Sequence, residues 1–143
     1  MKTWLKILLV IFVTGLIAAV MVFVFVINKS HPDYEKMKPD YTLSASDLYH
    51  SFKATTTESE TKYNGKVLAV SGKLTKVESN DSLVVAIFVF NQGIFGDEGI
   101  RCTMLPKFNE EAKKLQPDNV YNIKGYCTGY DTDVNIEHCS IIK

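Results

Sequence analysis

The sequence has no cysteine before Cys102, a single arginine at Arg101, and no charged side chain between Ile7 and Ile27. The first absence excludes a lipid anchor on an N-terminal cysteine. The second bears on partners: from residue 28 onward the chain carries 14 basic against 16 acidic residues. Generic nucleic-acid binding draws its affinity from clustered Lys and Arg, and no such run is present. Also missing are GxSxG, HExxH, the P-loop and the dinucleotide-binding glycine pattern. His31 and His50 stand without an evident acid or nucleophile partner. The paired cysteine spacing of a zinc site is absent, and His138 beside Cys139 adds little because neighbouring strand residues point to opposite faces. Asp97-Glu98 and Asp131/Asp133 read as acidic turns, with weak calcium binding as the alternative. No enzyme, cofactor or metal is expected.

The charge-free run is the strongest positive signal. Its 21 residues, at about 1.5 Å each, match the roughly 30 Å hydrocarbon core of a bilayer and exceed a secretory apolar region of about 7–15 residues. Ala18-Ala19, the small pair a signal peptidase would want, lies mid-run with Val20 to Ile27 still apolar behind it. The reading is an uncleaved signal anchor: residues 1–6 a cytoplasmic N-terminus, 7–27 a single transmembrane helix in the lipid bilayer of the inner membrane, and the rest outside the cytoplasm. Lys2 and Lys6 favour that orientation, while Lys29, Lys36 and Lys38 weaken it. Gly15 and Ala19 fit a helix-packing face, though small residues are common in membrane helices.

Residues 28–42 are polar, hold Pro32 and Pro39, and read as a linker. Ser44 then caps a helix with Asp47 three residues on and Leu43 placed to staple onto Leu48; Thr57 and Glu60 offer a second capping box. Strand signals follow at Lys66–Val77, Leu83–Phe90, Ile100–Leu105, Val120–Thr128 and Val134–Ile142. Gly93–Gly99 reads as a turn, and Lys107–Leu115 as a short helix. Five strands with a helix between the third and fourth are the order of the OB-fold, a partly open Greek-key barrel. The fold class is therefore mainly β: an OB-fold barrel over 43–143 with an N-terminal helix, preceded by the transmembrane helix. In such a barrel the first strand curls into both sheets, which assigns Gly72 to a bend or bulge and Gly125 to relief of crowding in strand four.

The segments LSASDLYHSF, KYNGKVLAVSGKL, IRCTM, NIKGYCTGY and VNIEHCSII occur in that order. On them, residues 43–143 resemble the tRNA_anti-like family of small bacterial OB-fold proteins. The resemblance implies an exported or membrane-anchored protein and, by analogy with anticodon-binding domains, nucleic-acid binding. OB-folds also bind oligosaccharides, peptides and proteins.

An OB-fold recognises ligands on the outer face of strands two and three and with adjoining loops. Phe88, Phe90 and Arg101 are the candidates on that face, where rings beside a guanidinium would suit a base, a sugar or a peptide carboxylate. The competing reading has Leu48 and Phe52 of the helix covering both phenylalanines as a small second core. Tyr126 and Tyr130 near the last hairpin are further candidates, against simple packing with wet hydroxyls. Strands three and five are neighbours in the barrel, so Cys102–Cys139 is the candidate disulfide, with three buried thiols as the alternative. The functional expectation is a membrane-anchored, non-enzymatic binding module whose partner is an unidentified protein or small ligand. The alternatives are an oligonucleotide-binding protein, which the charge does not support, and a structural subunit of a membrane complex.

Overall fold

The computed structural model describes residues 2–27 and 32–143. The chain divides into two compact units, 1–32 and 33–143.

The first unit is one helix, α1 (Thr3–Ile27), with a mean hydropathy of 3.1 over its most apolar 18 residues and no buried residue. Its 25 residues span about 37 Å, enough to cross a bilayer. A helix apolar on every side has no polar face to turn to water. Thr14 bonds its hydroxyl to the carbonyl of Val10 at 2.7 Å, so even this polar side chain is satisfied within the helix.

The second unit runs β1 (Tyr41–Ser44), α2 (Ala45–Ala54), α3 (Thr56–Tyr63), β2 (Val67–Lys73), β3 (Lys76–Ser79), β4 (Val84–Gly93), β5 (Gly96–Met104), a 3-10 turn (Pro106–Phe108), α4 (Asn109–Ala112), β6 (Val120–Tyr130) and β7 (Val134–Ile142). The strands form one sheet in the order β1-β2-β6-β7-β5-β4-β3. Chain continuity through Leu74 and Thr75 joins its ends: β2 pairs with β6, and β3, the continuation of β2, pairs with β4. That is the OB-fold connectivity, with strand one split in two. β1 adds a seventh strand, parallel to β2.

Local chemistry explains several boundaries. Ser44 Oγ accepts the Asp47 N–H at 3.0 Å, capping α2 as its position implies. The second capping box does not form: α3 begins after Thr55 without a side-chain cap. Asn80 Oδ1 accepts from the N–H groups of Ser82 and Leu83, closing the turn between β3 and β4. The expected turn over Gly93–Gly99 is instead mostly strand, because Gly93 pairs with Gly96 and only Ile94 and Phe95 remain to turn. The linker is also shorter than the sequence suggests. Asp40 exchanges hydrogen bonds with Val67, its N–H donating to the carbonyl and its carboxylate accepting the N–H.

Gly72 works differently from the expected bend. Its pairing with Tyr121 is in unbroken register, and the chain turns two residues later at Leu74. What requires glycine is close approach: a Cβ at Gly72 would lie 2.8 Å from Ala45 Cβ and 3.2 Å from the Phe88 ring. The start of α2 therefore rests directly on the barrel. Gly125 sits opposite a register shift in β7, where a Cβ would meet Cys139 Sγ and Ile136 at 2.6 Å. The core beneath joins Leu68, Val70, Phe88, Ile100, Ile123 and Ile136 of the barrel to Leu48, Tyr49 and Phe52 of α2.

Candidate binding surfaces

Strand parity decides what the outer face of β3, β4 and β5 carries. Ile87 pairs with Lys76 and Arg101, and Val85 with Glu78 and Thr103, so these residues share the outer face. Phe88 pairs with Ile100 on the inner face and is fully buried. Its expected place beside Arg101 is thus corrected: the two point to opposite sides of the sheet. Phe90 lies against α2, its ring 5.5 Å from that of Tyr49 and nearly parallel. Tyr49 and His50 of α2 cover Phe90, whereas Phe88 lies in the same barrel core as Leu48 and Phe52, so the two rings do not share the separate second core of the competing reading.

Arg101 remains on the outer face, but its charge is engaged. Nη2 donates to Glu78 Oε2 at 3.0 Å, while Lys76 Nζ bridges Glu78 at 3.3 Å and Asp97 at 3.2 Å. The Arg101 guanidinium holds the Glu78 carboxyl below its ordinary range, and Asp97, followed by Glu78, raises Lys76. Two cations and two carboxylates on β3 and β5 pair over the uncharged β4 between them, an arrangement nearly neutral to an approaching polyanion.

The β4–β5 hairpin carries the most exposed apolar side chains of the barrel. Ile94 and Phe95 at its tip are 97% and 94% exposed. Its base is held by Glu98, whose Oε2 accepts from Lys53 at 2.8 Å, Asn91 at 3.0 Å and the Tyr49 hydroxyl at 3.0 Å. These donors, Lys53 first, bring the Glu98 carboxyl down to about 2. Burial, reinforced by the hydrogen bond to Glu98, raises the Tyr49 phenol. Sequence reasoning missed this tip because Gly93 and Gly96 marked it as a turn; two large apolar residues where a turn has no use for them were the signal.

Tyr126 and Tyr130 do not converge on Arg101. Tyr130 packs on Phe52 at 5.5 Å, joining the edge of the core. Tyr126 lies on the outer face of β6 and stacks on Tyr34 at 4.8 Å; Tyr34 also stacks on His138 at 5.3 Å. Lys124, two residues before Tyr126, donates to the carbonyls of Glu35 and Met37 at 2.6 and 2.8 Å. The Glu35 carboxylate pairs with Lys107.

All three cysteines are free, buried thiols, so the candidate Cys102–Cys139 bridge is not formed in this structure. Burial pushes Cys127 up to about 11 and Cys139 well above its ordinary value. Cys127 pairs with Ile136, three residues short of Cys139. Among the described residues, no group of three or more His, Cys, Asp or Glu side chains is placed to hold a metal ion.

The family model described as tRNA_anti-like matches residues 1–141. No curated protein matches the chain. Among solved structures, a Klebsiella pneumoniae lipoprotein named for nucleic-acid binding is similar at 16% identity and a TM-score of 0.54, over 80% of this chain and 100% of the other. That likeness concerns the fold. A Leishmania major protein named as an aspartyl-tRNA synthetase gives 4% identity and a TM-score of 0.49, over 81% of this chain and 22% of the other. The Stn1–Ten1 complex of S. pombe gives 11% and 0.39, over 54% and 58%.

Proposed function

The chain belongs to the tRNA_anti-like family, and from that membership we propose that it is a membrane-anchored, non-catalytic OB-fold module that engages a protein partner outside the cytoplasm. The observation that carries this reading is the division of surface character around β4 and β5. The outer face that an OB-fold offers to oligonucleotides is ion-paired, and Phe88, its expected stacking ring, is in the core. Apolar exposure is concentrated instead at Ile94 and Phe95, on a hairpin braced by Glu98. An aromatic and an aliphatic side chain presented on a rigid base are suited to filling an apolar pocket in another protein.

The run without a charge from Ile7 to Ile27 within α1 supports single-pass anchoring in the inner membrane, and Lys2 and Lys6 on the N-terminal side of that run support an external barrel. The test is titration of the detergent-solubilised chain with a labelled single-stranded oligonucleotide at 50 and 200 mM salt, by fluorescence anisotropy. The module reading predicts no binding at micromolar protein in either salt. Binding that weakens steeply with salt would replace it with the oligonucleotide reading.

A further inference from the structure

We propose that the outer strip of β6 and β7 formed by Lys124, Tyr126 and His138, with Lys107 beside it, is a peptide-binding site that the chain's own Tyr34–Met37 segment occupies in cis. Each recognisable group of the segment meets its own counterpart. The Tyr34 ring lies on Tyr126 and His138, the Glu35 carboxylate meets the Lys107 ammonium, and the carbonyls of Glu35 and Met37 share the Lys124 ammonium. The ligand class follows from those counterparts: a turn-forming stretch of a partner protein with an aromatic residue followed by an acidic one. The inference is independent of the hairpin reading, since the two surfaces share no residue.

Two observations separate this strip from ordinary packing of a linker. First, His138 is a non-glycine residue at φ +54°, in a part of β7 whose register shifts against both β5 and β6. Such a conformation costs about 1–2 kcal/mol in an L-residue and persists where the surroundings require it. Here the irregularity lets His138 stack on Tyr34 while Cys139 next to it stays in the core. Second, the segment is held by those side-chain and carbonyl contacts and not by strand pairing. It forms a turn rather than a strand, and Lys36, Met37 and Lys38 are exposed. A segment with few buried contacts opens at small free-energy cost, so it can leave the strip while the barrel stays folded. Being tethered, it competes at an effective concentration in the millimolar range, and a partner segment must exceed that to displace it.

The experiment uses the full chain in detergent micelles and a fluorescein-labelled peptide DYEKMKPD, the sequence of residues 33–40. The double variant Tyr34→Ala/Glu35→Ala, which weakens the segment's own hold, should bind the peptide at least tenfold tighter than the unaltered chain. Adding Lys124→Gln or His138→Gly should abolish that binding. His138→Gly suits the positive φ, so its loss of binding would not reflect misfolding. Equal peptide binding by the unaltered chain and the double variant would overturn the proposal, as would binding that survives both added substitutions. Preferential binding of a labelled dT oligonucleotide to the double variant would also overturn it, by assigning the strip to nucleic acid.

Discussion

Arg101 reaches across β4 to Glu78, Nη2 to Oε2 at 3.0 Å, so the single arginine of the chain is spent within the face where a phosphate contact was expected. Both side chains are partly exposed, and pairs of this kind contribute little to stability, about 0.2–1 kcal/mol. Arg101→Ala should therefore lower unfolding stability by less than about 1 kcal/mol, read from urea denaturation of the chain in micelles. It should leave oligonucleotide affinity at zero, since no phosphate contact is lost.

Phe88 and Phe95 should behave in opposite ways. Phe88→Ala empties a fully buried position in the barrel core and should cost about 3–5 kcal/mol. Phe95→Ser removes a ring that is 94% exposed and should change stability by no more than about 0.5 kcal/mol. Parallel thermal and urea unfolding of the two variants separates them.

That contrast also marks how far the sequence could be read. The membrane segment was legible because 21 residues without a charge have few other uses, and α2 because Ser44 and Asp47 announce its start. The strand order followed from turns and helix position. The parity of β4 did not, because LVVAIFVF is apolar on both faces and gives no alternation to read. Without that alternation the sequence puts Phe88 and Arg101 on one face, and the folded sheet puts them on two. Gly72 was legible as a special position but not as a contact, since its partner Ala45 is 27 residues away and meets it only in the folded barrel. Tyr34–Met37 looked like plain linker for a related reason: its partners Lys124, Tyr126 and His138 lie about a hundred residues downstream.

The hairpin brace should give a defined acid response. Glu98 titrates at about 2 in the folded chain, below its ordinary 4.5, because Lys53, Asn91 and Tyr49 bond its charged form. A depressed carboxyl contributes stability above its unfolded value and loses that contribution as pH falls through the folded one. The loss belongs to the window from about pH 4.5 down to 2. Glu98→Gln should flatten the fall of the melting temperature across that window relative to the unaltered chain. Glu78, Glu110 and Asp131, also lowered, should keep the remaining slope.

Buried thiols should be inert, the more so at Cys127 and Cys139, which burial raises. The folded chain should show no fast reaction with a maleimide, and the denatured chain should show all three cysteines. Topology labelling therefore needs an introduced thiol. A cysteine at the exposed turn position Asp81 (Asp81→Cys) should react in intact cells with a reagent that cannot cross membranes, if the barrel is external.

The central claim is that a protein partner docks on the Ile94–Phe95 tip. Its most direct test replaces Phe95, and separately the exposed Lys114, with a photo-crosslinking residue in the full-length chain in living cells, followed by irradiation and mass spectrometry. The account predicts one discrete protein adduct from position 95 that is absent from position 114 and disappears when Ile94→Ser is added. Equal adducts from both positions, or a nucleic-acid adduct from position 95, would contradict it.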